Sequence, residues 1–396
     1  MGGRAIDVGR ARRETPGCGD VVHLNNAGAS LPPARVVDAV VGHLRLEERI
    51  GGYEAAEAEG ERIEGVYDSL ARLLHCARDE IALVESATRA WDMAFYSLGF
   101  GPGDRILTTR SEYASNYIAL RQVADRTGAS VEPVPNDEHG QVDVDALGAM
   151  LDERVKLVSL VHVPTQGGLV NPAERVGALT RAAAVPLLLD ACQSVGQMPI
   201  DVAAIGCDIL SATGRKFLRG PRGTGFLYVR RELLERLEPP FLDMRSAEWM
   251  PDGSYRLRTD ARRFEQWEAS YALQLGLGAA ADYALGWGLA AIWERVSTLA
   301  AQLRERLDAL EGVQVRDLGE RRCAIVSFSV SGRDPGWVVD ALRAHAINVS
   351  AISDSSSRFD FADRGLHELV RASVHYYNDD DDLDALVQQL SEIVRG

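Results

Sequence analysis

Lys156 and Lys216 are the only lysines among 43 basic residues, and only one of them sits where a lysine can do chemistry. Lys156 lies in the polar lead-in to a strand. Lys216 closes Asp208-Ile209-Leu210-Ser211-Ala212-Thr213-Gly214-Arg215-Lys216, where an apolar run gives way to small polar residues. Upstream, Val185-Pro186-Leu187-Leu188-Leu189-Asp190 ends a second apolar run on a carboxylate. A lysine and a buried carboxylate, each at a strand end, are what pyridoxal phosphate (PLP) chemistry needs. The amine forms a Schiff base, and the carboxylate keeps the pyridine nitrogen protonated so that the ring acts as an electron sink. Taken alone, the pair also reads as a surface lysine and a helix-capping aspartate; the residues around them favour the cofactor. Lys216 must react as the free amine, and neighbouring Arg215 and Arg219 would lower its pKa.

Other strand ends carry matching groups. Ser86-Ala87-Thr88 lies between a strand and a helix, so the N–H groups of Ala87 and Thr88 and the Thr88 hydroxyl suit a phosphate; a simple N-cap is the alternative. Tyr113, in Ser111-Glu112-Tyr113, can stack on a planar ring or serve as core. Thr165 and Gln193 can donate to a phenolate oxygen. Thr213 and Arg215 place a hydroxyl and a forked guanidinium beside Lys216, both suited to phosphate. Arg371, inside the apolar stretch Leu369-Val370-Arg371-Ala372, suits a bidentate grip on a substrate carboxylate, with a structural ion pair as the alternative.

The elements that must position these residues alternate strand and helix. Strands are expected at 80–84, 105–109, 155–162, 187–190, 208–212 and 225–229, and helices at 35–49, 61–74, from 90, 117–128 and 172–184. Continuous apolar strands alternating with helices predict an α/β fold with a mostly parallel sheet covered on both faces, whose ligands bind at the carboxyl ends of the strands. From Tyr271 to Leu310 the chain reads as one long Ala-rich helical stretch. After it come a strand at 323–331, a helix at 337–344, a strand at 370–374 and a closing helix at 383–394, which together predict a smaller α+β domain. The acidic run Asp379 to Asp382 reads as a solvated helix start. The expected division is an N-terminal segment 1–22, a large domain 23–270 and a small domain 271–396.

Composition narrows the classes. At 396 residues the chain exceeds a single typical core. A net charge of −15 argues against nucleic acid and anionic membrane as partners. No apolar segment reaches transmembrane length, no signal peptide is apparent, and the expected location is cytoplasmic. Five scattered cysteines without a CxxC pair indicate neither a disulfide framework nor a zinc site, and no metal is expected.

These segments resemble the class V aminotransferase family, the fold-type-I PLP enzymes that include cysteine desulfurases and isopenicillin N epimerase. The resemblance runs from His23-Leu24-Asn25-Asn26-Ala27-Gly28 to the C-terminus, and is strongest at Ser211–Lys216 and Gly220-Pro221-Arg222-Gly223-Thr224-Gly225. It implies a large domain around a seven-stranded, mostly parallel sheet, a smaller C-terminal domain, and a homodimer with the active site at the subunit interface. It also implies roles: Lys216 as Schiff base, Asp190 at the pyridinium, Gln193 and Thr165 at the phenolate, Tyr113 on the ring, Ala87, Thr88, Thr213 and Arg215 at the phosphate. Arg371 and Asn26 then fall to the substrate. Two departures stand out. Cysteine desulfurases carry a nucleophilic cysteine on a small-domain loop, whereas Asn348 to Ser357 has none. Relatives have Phe-Glu-x-Gly-Thr, its threonine at the partner subunit's phosphate, whereas this chain has Phe264-Glu265-Gln266-Trp267-Glu268. Trp267 and Glu268 are therefore candidate specificity residues. Arg49 to Glu57 is similar to a stretch in the branch containing the ergothioneine-pathway C–S lyase and PLP enzymes of lincosamide assembly, which act on cysteine-type S-conjugates.

The expected function is β-elimination of an S-substituted cysteine in secondary metabolism, with an amino acid as the small-molecule substrate. The missing loop cysteine fits, because elimination needs no persulfide acceptor. Transamination, epimerisation and oxygen-dependent oxidative deamination share its first step and remain alternatives. A non-catalytic PLP-binding regulator is an alternative of another class.

Overall fold

A computed structural model describes residues 5–395. Its centre is a seven-stranded sheet in which the strands run, edge to edge, Ile81–Val84, Gly225–Val229, Ile209–Thr213, Leu187–Asp190, Val155–Val161, Arg105–Thr109 and Ser130–Val134. Gly225–Val229 is antiparallel to both neighbours, and the other pairings are parallel. The central strands are buried along their whole length, which is why they read as unbroken apolar runs. Alternate residues feed two cores, one on each face. Leu187, Leu189 and Leu210 join one cluster, while Leu188, Ile209 and Leu227 pack with Trp91, Phe95 and Phe264 in the other. Ser130–Val134 was not foreseen; it is a partly exposed edge strand carrying Pro133, so it lacks the apolar signature of a central strand.

The C-terminal part holds a four-stranded antiparallel sheet ordered Val313–Val315, Ile325–Val330, Glu368–Ser373, Ser350–Ser353. Arg371 thus lies within a strand, paired with Ser327 on one side and Ser350 on the other. Val22–His23 reaches over to pair with Ile347–Asn348, which brings the Asn25–Gly28 loop beside the C-terminal sheet.

Two expectations are corrected. The helical stretch from Tyr271 is two helices, Tyr271–Trp287 and Leu289–Asp308, bent by 79° at Gly288, whose φ of 87° lies where glycine is favoured. Tyr271–Trp287 packs against the helices Ala34–Ile50 and Gly60–Leu74. The acidic helix start is not wholly solvated: Asp382 is buried and accepts from Arg12 Nη1 at 2.9 Å and Asn378 Nδ2 at 2.8 Å. Among the described residues no single helix is long and apolar enough to cross a membrane.

Candidate active site

Asp190 and Lys216 emerge from adjacent parallel strands, with Asp190 opposite Ser211 in register. Asp190 is buried; its Oδ1 accepts from the Cys192 N–H and its Oδ2 from Asn116 Nδ2, both at 2.9 Å. Burial holds the Lys216 ammonium below its ordinary pKa; Cys192 and Asp190 oppose this, and Arg215 and Arg371 reinforce it. A lysine so placed has access to the free amine. Arg219, expected to assist, belongs elsewhere. Its backbone takes a φ of 64°. Its buried guanidinium donates to Leu31 O at 2.9 Å and the Tyr376 hydroxyl at 2.7 Å, and lies over the Tyr377 ring.

On the phosphate side, Ser86 caps the helix Ala87–Phe95, its Oγ accepting from Arg89 N at 3.1 Å. The Ala87 and Thr88 N–H groups lie in the first turn, where no intrahelical acceptor exists. Gly225 allows the approach: a Cβ there would stand 2.4 Å from the Ser86 carbonyl carbon. Two expected phosphate contacts face other groups. Thr213 Oγ1 donates to Thr224 O at 3.2 Å, and the Arg215 guanidinium donates to Gly28 O. Glu268 lines a pocket with Val84, Glu85, Thr224 and Ser270. Trp267 is half exposed, its backbone N–H donating to Asp243 Oδ2 at 2.7 Å.

Opposite, Arg371 is buried and, among the described residues, has no carboxylate partner. Its Nη1 donates to Thr165 O at 2.9 Å and Thr165 Oγ1 at 2.8 Å, its Nη2 reaches Asn25 Oδ1 at 3.4 Å, and its Nε has no acceptor. Burial and the nearby Arg215 charge push it down to about 10. An unmatched buried guanidinium is costly, so this is a place prepared for an anion. Thr165 Oγ1 also accepts from Gln193 Nε2 at 3.3 Å, and Gln193 Nε2 donates to Ala27 O at 3.1 Å. Tyr113 is part-exposed at the start of the helix Ala114–Thr127, close enough to influence both Arg215 and Arg371. Asn26, expected at the substrate, is instead fully buried. Its amide donates to Ser373 O at 2.7 Å and His23 O at 3.3 Å and accepts from the Tyr377 hydroxyl. The adjacent Asn25 is the one that faces Arg371.

Two residues escaped the sequence reading. Glu112 and Asn116 are buried behind Asp190, and Asn116 Nδ2 donates to Glu112 Oε1 as well as to Asp190. The only available signal was Glu112 itself, inside the triplet singled out for Tyr113.

The Ser350–Ser357 segment carries five serines and no cysteine. Cys192 lies beside Asp190 and Lys216, but burial raises its thiol well above the ordinary range. Among the described residues no cluster of potential ligands could hold a metal ion.

The groups present fit pyridoxal phosphate. A lysine past a strand end, a carboxylate beside it, the Thr165 hydroxyl with its hydrogen uncommitted, and a helix N-terminus correspond to its aldehyde, ring nitrogen, phenolate and phosphate; Gln193, expected as a second phenolate donor, has both amide hydrogens engaged by Ala27 O and Thr165 Oγ1. Among the described residues the buried Arg371 Nε is left without an acceptor.

Comparison with known proteins agrees. The Aminotransferase class-V profile matches residues 22–386. A probable cysteine desulfurase of Methanothermobacter thermautotrophicus is 28% identical over 388 residues, covering 96% of this chain and 97% of the relative. One from Halobacterium salinarum is 30% identical over 391 residues, covering 96% and 93%. Among solved structures, the apo cysteine desulfurase of Thermococcus onnurineus superposes with a TM-score of 0.92 at 27% identity, covering both chains completely. With the profile spanning residues 22–386, this chain belongs to the class V aminotransferase family of pyridoxal-phosphate enzymes.

Proposed function

We propose that the chain is a PLP-dependent lyase that cleaves the Cβ–S bond of an S-substituted cysteine. The observation that carries this reading is the pairing of a Lys216/Asp190/Arg371 site with a cysteine-free segment at Ser350–Ser357. The relatives' name, cysteine desulfurase, implies a thiol that receives sulfur. Serine cannot hold a persulfide, and the thiol of Cys192 is kept protonated by burial. C–S cleavage that releases its sulfur product directly needs neither.

When bound, PLP supplies an electron sink that acidifies the substrate Cα–H and loosens a Cβ substituent. The protein's own groups do the rest. Arg371 holds the α-carboxylate and so aims the Cα–H. The Lys216 amine, held below its ordinary pKa, takes that proton. Asp190, fixed by two donated hydrogen bonds, keeps the ring nitrogen protonated. The Thr165 hydroxyl, held by Arg371 and Gln193, would donate to the phenolate. The departing thiolate leaves as free thiol, and the three-carbon remainder hydrolyses to pyruvate and ammonia. Trp267 and Glu268 act on substrate choice. The functional unit is a homodimer; the exposure of Phe241, Met244, Trp249 and Trp267 supports it.

The test is a product assay with PLP-loaded protein and a panel of S-conjugated cysteines. Equal release of thiol, pyruvate and ammonia, lost in Lys216→Ala, is expected. With free cysteine as substrate, release of alanine with protein-bound persulfide would make the chain a desulfurase instead. A keto acid retaining its sulfur would point to transamination.

A further inference from the structure

Behind Asp190 lies a second carboxylate that the reaction described above does not use. Glu112 is buried and accepts four hydrogen bonds: at Oε2 from the hydroxyls of Thr108 (2.6 Å) and Ser159 (3.0 Å), and at Oε1 from the Tyr113 N–H (2.8 Å) and Asn116 Nδ2 (2.9 Å). Among the described residues no arginine or lysine pairs with it; the charged group it faces is Asp190. The four partners come from the Arg105–Thr109 strand, the Val155–Val161 strand and the start of the helix Ala114–Thr127, so the arrangement is built from three elements.

Asn116 uses both hydrogens of one amide nitrogen on two carboxylates, Glu112 and Asp190. Turned over, it would aim its carbonyl at two acceptors. Glu112 therefore fixes which face of Asn116 meets Asp190, and Asn116 fixes Asp190. We propose that Glu112 is a positioning residue for cofactor binding, acting through Asn116 on Asp190 and losing a proton when a protonated pyridine ring docks there. This rests on the reading of Asp190 as the ring-nitrogen partner.

The chemistry of the pocket supports proton exchange. Burial, with the Asp190 charge adding to it, pushes Glu112 up to about 7, against the hydrogen bonds that hold it down. The Thr108 and Ser159 hydroxyls can rotate, donating to the carboxylate and accepting from the carboxylic acid. A cationic ring at Asp190 favours the carboxylate, so cofactor binding drives the proton from Glu112 to solvent. Binding that releases a proton strengthens as pH rises through the free protein's pKa and levels off above it.

The experiment measures PLP dissociation constants of wild type and Glu112→Gln from pH 5.5 to 8. Glutamine can keep its carbonyl toward the Tyr113 N–H and Asn116 Nδ2 and donate from its amide to the rotated Thr108 and Ser159 hydroxyls, but it cannot titrate. In the ratio of the two constants, the titrations of the cofactor and of Lys216 cancel. The wild-type advantage is expected to be about tenfold larger at pH 8 than at pH 5.5. A ratio independent of pH overturns the proposal. Thr108→Val provides a second arm that does not depend on how Glu112→Gln folds, read over a range extended to about pH 9. Thr108 is the foremost donor opposing burial at Glu112, so its removal moves the wild-type step up; a step that stays in place overturns the proposal as well. Wild-type protein that binds no PLP at any pH overturns both this inference and the reading of Asp190, whereas a flat ratio with tight binding overturns this inference alone.

Discussion

The Arg371 guanidinium grips Thr165 twice through one nitrogen, at the backbone carbonyl (2.9 Å) and at the hydroxyl (2.8 Å). A strand of the C-terminal sheet is thereby tied to the loop that follows Val155–Val161 in the central sheet. The grip occupies Nη1 and leaves Nε without a partner and Nη2 with one long contact. The guanidinium is thus oriented by the protein and still has donors to give.

Arg371→Leu should raise KM far more than it lowers kcat, with kcat/KM falling about 100-fold, the effect of losing roughly 3 kcal/mol of charge-assisted hydrogen bonding. The sharper reading comes from substrate analogues. Wild type should reject an S-conjugated cysteamine, which lacks the carboxylate, and the variant should treat it no worse than the amino acid. Steady-state kinetics on both compounds decides. A variant that still prefers the carboxylated substrate would show that another residue holds it.

Thiol chemistry should be dispensable. Burial holds Cys192 and Cys207 far above the range of reactive thiols, and Cys323 is pushed up to about 11. Treatment with iodoacetamide at pH 7.5, carried to complete labelling of the accessible thiols, should leave turnover within about twofold. Inactivation that substrate prevents would mean that a cysteine takes part, and would return the chain to the desulfurases.

What the sequence disclosed depended on how local the signal was. Asp190 and Lys216 stand where an unbroken apolar run stops on a polar residue, a pattern visible within a few positions. Glu112 has no such signature, because its hydroxyl partners Thr108 and Ser159 belong to neighbouring strands whose register only the fold supplies. Asn25 and Asn26 are chemically identical neighbours; pairing with the C-terminal sheet buries one and turns the other toward Arg371. Arg219 was misassigned by proximity in sequence, since its left-handed backbone carries the side chain into the tyrosine cluster. The break at Gly288 did leave a trace: two glycines flank Trp287.

Gly225→Ala tests whether close approach builds the phosphate side. An added methyl would sit 2.4 Å from a backbone carbon of Ser86, where no side chain can swing away. The strand and the helix start must separate, at a cost of about 2–3 kcal/mol in stability. PLP affinity should fall with it, because the same displacement moves the Ala87 and Thr88 N–H groups. Urea unfolding and PLP titration of the variant give the two values. An unchanged affinity would place the phosphate elsewhere.

His162 sets part of the acid limit of the fold. It ends the Val155–Val161 strand, donates its backbone N–H to Asp190 O at 3.0 Å, and has a buried Nδ1 without a partner. Burial, aided by the Arg321 charge, pushes the imidazole down to about 4. In the unfolded chain histidine titrates near its ordinary value of about 6.5. Between those values the unfolded state binds more protons, so stability is complete above about pH 6.5 and is lost as pH falls toward 4. At pH 5 the loss from this one residue is about 2 kcal/mol relative to pH 8. His375, also buried and held well below its ordinary pKa, acts in the same direction, so wild type should lose more than His162 alone accounts for. In His162→Gln the loss between pH 8 and pH 5 should shrink by that ~2 kcal/mol, whatever the variant costs at pH 8. Equilibrium urea unfolding of both proteins at the two pH values, at one protein concentration, isolates the difference. Equal losses in the two proteins would mean that His162 accepts a proton inside the folded state.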